Sequence, residues 1–147
     1  VPTLKELLCA PDIRWNVIRD TAQLVDSEVS AKSGISGLAI KAGYKAVKAI
    51  KPSLIPDAID SMLDRFVEKL EPFYTDWAAS KSQGFDQFLS GRSSQVANAL
   101  LGVTDDRART IQNNTIKKTY ETLRPTGEKN VVAAIPGLGR MLTKYVK

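Results

Sequence analysis

Apolar residues recur along this chain at three- and four-residue spacing, and nowhere alternate convincingly with period two. Such spacing puts them on one face of an α-helix, whereas alternation would mark a half-buried strand. Trp15, Ile18, Ala22, Val25 and Val29 follow the helical period after Pro11, so a long helix is expected over roughly 11–33. Gly34 and Gly37 punctuate the turn that follows, and Leu38 to Ile50 form a second helix, stopped by Pro52. Pro56 suits a first helical turn and opens the stripe Ile59, Met62, Leu63, Phe66 and Leu70, continued in register by Phe73 and Trp77. Pro72 falls inside that run and predicts a kink or a break.

Shorter helices are expected between Gly84 and Gly91, carrying Phe85, Phe88 and Leu89, and over Val96, Ala97, Leu100 and Leu101, ended by Gly102. Thr104 with Asp105 and Asp106 reads as the cap and first turn of a helix that runs to about Arg124, before Pro125 and Gly127. Val131 to Ile135 and Leu138 to Val146 close the chain as two turns separated by Pro136-Gly137. At the opposite end, Thr3 followed by Glu6 is a capping-box pair. The expected fold is all-α: a compact single-domain bundle over residues 1–147, about seven to nine helices with short loops, no internal repeat and no low-complexity linker.

Composition narrows this picture mainly by exclusion. A chain of 147 residues suits one domain and buries roughly 70% of its unfolded surface, enough for a core without covalent staples. The 43% hydrophobic and 25% charged fractions lie in the ordinary globular range, against wholesale disorder. No run approaches the roughly 18 consecutive apolar residues of a transmembrane helix. VPTLKELLCAP lacks the apolar region of a signal peptide, and Leu8 rather than a small residue precedes Cys9, so neither a secretory leader nor a lipoprotein anchor is expected. The single cysteine forms no internal disulfide; it fits a reducing cytoplasm, the compartment expected, and beside Leu8 it reads as a structural thiol. The absence of histidine excludes Ser/His/Asp and Cys/His nucleophiles, histidine acid/base work, His-ligated zinc and the carboxylate-histidine di-iron pattern.

The net charge of +5 hides a segregated layout. Residues 30–56 hold Lys32, Lys41, Lys45, Lys48 and Lys51 without an acid, and residues 57–76 hold six acids against Arg65 and Lys69. Lys41, Lys45 and Lys48 share a narrow arc, opposite Ala39, Gly43, Ala46, Val47 and Ile50. That small apolar side predicts a tightly packed central helix, since a membrane-surface helix would need larger apolar side chains. On the next helix, Asp57, Asp60, Asp64, Glu68 and Glu71 line one stripe opposite the apolar one. Carboxylates at i,i+4 repel by a few tenths of a kcal/mol, so the stripe calls for Lys or Arg from elsewhere in the fold or for a basic partner. A Mg²⁺ or Ca²⁺ site is disfavoured, because one rigid helix seldom wraps six oxygens around an ion. If the two helices pack through their apolar faces, both charged stripes point outward, and a protein partner or self-association through them is the expected function.

Other motifs carry less. There is no phosphate-binding Walker loop, dinucleotide fingerprint or nucleophile elbow. Gly34-Ile-Ser-Gly37 reads as a turn rather than a nucleic-acid loop, and Gly137-Leu-Gly139 as helix-entry punctuation rather than an anion site. Arg107, Lys117, Lys118 and Arg124 spread around the predicted helix and are interrupted by Glu121, so nucleic acid is at most a weak partner. Phe66, Phe73, Tyr74, Trp77, Phe85 and Phe88 are either core filling around the Pro72 and Gly84 bends or the lining of a cavity for a small apolar molecule or lipid.

EVSAKSGISGLAIKAGYKAVKAIKP over 28–52, LIPDAIDSMLDRF after it and the closing IPGLGRMLTKYV resemble a family of short bacterial all-helical proteins classed as a domain of unknown function. The likeness spans nearly the whole chain. It implies a small bacterial cytoplasmic helical domain and transfers no catalytic or binding residue. The resulting expectation is a non-enzymatic interaction domain needing no cofactor, with a small-molecule or lipid-binding domain as the alternative.

Overall fold

The computed structural model describes residues 2–146, and among them there are eight α-helices, one 3-10 turn and no strand. The helices are α1 (Leu4–Leu8), α2 (Arg14–Ala31), α3 (Gly34–Lys48), α4 (Leu54–Ser80), α5 (Phe85–Ser90), α6 (Ser93–Ala108), α7 (Asn114–Leu123) and α8 (Gly127–Thr143), with the 3-10 turn Arg124–Thr126 leading into α8. The all-α expectation and the expected number of helices hold.

Local chemistry explains some of the ends. Thr3 accepts a hydrogen bond from the Glu6 amide at 3.1 Å and caps α1. Gly34 adopts φ +75°, the left-handed geometry that turns the chain from α2 into α3. Asn113 accepts from the Ile116 amide at 3.1 Å and starts α7.

Several boundaries depart from expectation. The segment Gly34-Ile-Ser-Gly37 is not a separate turn before a helix at Leu38 but the first turn of α3. Neither Pro72 nor Pro136 ends a helix: α4 and α8 run through them, and both prolines are exposed. The carbonyl four residues earlier loses its amide partner on the water side, where solvent can replace it. Thr104, Asp105 and Asp106 do not open a helix but lie in the last turns of α6, which continues through Gly102. The Thr104 hydroxyl donates back to the Leu101 carbonyl at 3.0 Å instead of capping.

A hydrophobic core joins α1, α2, α4, α5, α6 and α8 with Val146. Leu4, Leu8, Val17, Ile18, Val67, Phe85, Leu89, Val96 and Ile135 are at most 1% exposed within it. Among the described residues, α3 and α7 contribute nothing to this cluster, and no residue of α7 is buried. The expected central position of α3 is thus overturned: α3 and α7 form an outer pair, in contact at Gly43, where an added Cβ would lie 2.8 Å from Thr119 Cγ2. The expected α2 stripe holds from Ile18 and Ala22 onward but not at Trp15. Val17 and Ile18 face the core, whereas Trp15 is 61% exposed.

Candidate binding cleft

Between the outer pair and the body lies a cleft of about 300 Å³. Its floor is α4, through Leu54, Ala58 and Met62, and its walls are Val47 of α3, Ala108 of α6, and Ile116 and Tyr120 of α7. The period-3.6 pattern of α7 aims Ile116, Thr119, Tyr120 and Leu123 inward, yet all four are only half-buried. Three cations, Lys51, Arg107 and Lys117, and one acid, Asp57, also line this cleft. Lys51 Nζ reaches Asp57 at 2.9 Å. Arg107 donates to the Thr110 hydroxyl at 2.9 Å, and Lys117 forms no ion pair among the described residues.

A polar clamp at one end holds α7 across the cleft. Arg124 donates to both Asp105 oxygens, at 2.8 and 3.0 Å, and the Tyr120 hydroxyl donates to the same carboxylate. Thr104 Oγ1 lies 2.9 Å from that hydroxyl. The bonds from Arg124 and Tyr120 hold the Asp105 carboxyl below its ordinary range, while burial and the facing carboxylate push the Tyr120 phenol up.

The residues singled out from sequence fall in three places. Most of the acidic stripe is engaged within the fold. Asp57 takes Lys51 and the Ser53 hydroxyl. Arg14 binds Asp60 at 2.9 Å and Asp64 at 3.1 Å, and Glu71 accepts the Leu4 and Lys5 amides at the start of α1. Glu68 stands exposed. Lys41, Lys45 and Lys48 lie on the outer face of the molecule, with Lys48 Nζ 3.8 Å from Asp26 and over the Tyr44 ring.

Most of the aromatic residues fill space, which favours core filling over a cavity as the account of this cluster. Tyr74, Trp77 and Phe85 are buried, with ring centroids 5.1 to 6.0 Å apart, an edge-on and tilted cluster that excludes a guest. The Arg92 guanidinium covers Phe88 at 3.7 Å, Phe73 packs half-buried on the core, and Phe66 borders a separate interior gap of about 130 Å³.

Gly137 and Gly139 lie inside α8 and serve neither as helix punctuation nor at a helix start. Added Cβ atoms there would meet Leu24 at 2.8 Å and the Asp86 backbone at 2.7 Å, so they are points of close helix approach. Cys9 is partly buried, and burial followed by its contact with Asp64 pushes the thiol up, away from thiolate reactivity. Among the described residues no group of three or more His, Cys, Asp or Glu is placed to hold a metal ion, and no helix is long and apolar enough to cross a membrane.

The cleft is not legible in the sequence because Thr104-Asp105-Asp106 has the composition of a helix start and hides the boundary between α6 and α7. The signal that locates the α7 wall is Asn113, a strong N-cap residue with the apolar pair Ile116 and Tyr120 close behind it. No curated protein and no solved structure gives a significant match to the chain. A family profile does match, over residues 4–146, a range that spans α1 to α8. The chain belongs to that family, a family of unknown function (DUF6918).

Proposed function

We propose that this protein is a non-enzymatic binding module that takes a small amphiphile with an anionic head in the cleft between α4, α6 and the outer helices. The observation that carries this reading is the unfilled apolar face of α7. Its inward side chains and those of α4 stand across an open space of about 300 Å³ instead of closing on one another. That volume lies at the lower end of small-molecule sites and suits a short hydrocarbon chain rather than a whole phospholipid. Lys51, Arg107 and Lys117 outnumber Asp57 among the lining residues, which favours a carboxylate or phosphate head. The lack of histidine and the engagement of most acidic-stripe carboxylates in structural bonds support binding over catalysis.

Calorimetric titration with decanoate, and with decanol as the uncharged control, tests the reading. Decanoate should bind, decanol should bind about tenfold more weakly, and Arg107→Gln with Lys117→Gln should remove most of that difference. Met62→Trp, or the milder Ala58→Leu, fills the floor and should abolish binding while the thermal melt stays cooperative. Absence of decanoate binding, or equal binding by both floor variants, refutes it.

A further inference from the structure

The outward side of α3 is an apolar ridge that no other part of the described chain covers. Ile35 is 90% exposed and Leu38 69%, and Ala39, Ala42, Ala46 and Ala49 are exposed with them. At about 100° per residue these six positions share an arc of about 100°, running about 20 Å along the helix. Gly37, Ile40, Gly43 and Val47 turn toward the protein on the other side. Lys41, Lys45 and Lys48 occupy the flank between the two faces, and residues 30–56 contain no acid to oppose them. The carboxylate beside that flank, Asp26, is met by Lys48. Lys41 and Lys45 form no ion pair among the described residues.

We propose that α3 seats the protein on an anionic lipid surface. Ile35 and Leu38 enter the boundary between head groups and acyl chains, and Lys41 and Lys45 extend along the apolar ridge to reach lipid phosphates. The large apolar side chains are confined to the first turn of α3, so the hydrophobic contribution alone is weak and the lysine flank must supply a second one. A convex ridge fits a planar interface better than a peptide, which would be held in a groove. A second copy is disfavoured, because antiparallel pairing of two such ridges sets one lysine flank against the other. The inference stands apart from the cleft and does not depend on it.

Co-sedimentation with vesicles of equal parts phosphatidylglycerol and phosphatidylcholine tests it, with pure phosphatidylcholine as control. The protein should bind the anionic vesicles at low salt, release them as salt rises, and ignore the neutral ones. Ile35→Ser with Leu38→Ser, and separately Lys41→Gln with Lys45→Gln, should each weaken binding by roughly tenfold or more. Because all four side chains are solvent-exposed, both double variants should keep the parent melting temperature, and Met62→Trp should leave vesicle binding unchanged. The proposal is overturned if anionic vesicles do not retain the protein at low salt, or if the Ile35/Leu38 variant binds as the parent does. A concentration-dependent dimer that this variant dissolves would overturn it in favour of a second copy.

Discussion

At Gly139 a single missing methyl group decides how α5 and α8 meet. An added Cβ would sit 2.7 Å from Asp86 Cα, a backbone atom that cannot swing aside. Gly139→Ala is therefore expected to destabilise the protein by about 1–3 kcal/mol through overpacking. Gly102 is the control: it lies within α6 with nothing within 4 Å of its Cβ position. There Gly102→Ala should stabilise by up to about 1 kcal/mol, since only the helix preference changes. Urea unfolding of the two variants, read at the midpoint with the slope unchanged, checks both signs. From the sequence these two glycines look alike, each an interruption of an apolar run. What separates them is whether another backbone lies against the position, and that contact joins residues 53 apart in the chain.

Among the elements, α7 is held by polar bonds at one end as well as by its close contact with α3 at Gly43. It buries no residue among those described, and the Asp105 carboxylate binds both its Tyr120 and the Arg124 that follows it. Asp105→Asn keeps the shape but removes the charge that attracts Arg124. Amides of α7 are expected to exchange with deuterium about tenfold faster in that variant, while those of α4 and α8 keep their protection. Loss of protection throughout the molecule would show instead that α7 is part of the global cooperative unit. This element also marks where sequence reading stopped. The short helix of Phe85–Ser90 was legible because glycines bracket it and its aromatic residues are buried, whereas Thr104-Asp105-Asp106 has the composition of a cap while performing a tertiary task. Pro72 and Pro136 misled for a related reason: a proline breaks a helix in isolation, but here solvent serves the freed carbonyl and packing on the opposite face holds the helix together.

At the scale of the whole molecule, α2 and the residues that follow α8 are tied through Asp20. Tyr145 donates to its carboxylate, and Lys144 Nζ lies 3.1 Å away. The Tyr145 bond lowers the carboxyl, and burial followed by Asp20 pushes the phenol up to about 12. A free tyrosine titrates near pH ~10, so between about 10 and 12 the folded state retains a proton that the unfolded chain has released. The stabilisation is fully present below pH ~10 and should decline as pH rises toward 12. Asp20 and Asp105 have the opposite sign: their depressed carboxyls stabilise above the ordinary aspartate range near ~4, and that contribution is lost as pH falls through their folded values. Tyr145→Phe should cost about 1–2 kcal/mol at neutral pH and flatten the alkaline decline relative to the parent. Unfolding free energy measured across the alkaline range tests this; an unchanged alkaline slope would mean that other groups carry it.

The hydrophobic period by itself determined that this chain is helical and where most helices lie, because burying one face of a helix constrains residues only three or four apart. The histidine count and the segregation of charge along the chain are equally local facts, and they restricted the available chemistry before any contact was known. Which face turns inward is a different kind of fact. Only tertiary packing decided that α3 lies outside with Ile35 and Leu38 in water, that the acidic stripe is largely matched within the fold, and that Tyr74, Trp77 and Phe85 form solid core. It also decided that the open space lies beneath α7. Each outcome depends on partners tens of residues away, such as Arg14 for Asp60 and Arg124 for Asp105, and the periodicity of one segment carries no information about the segment packed against it.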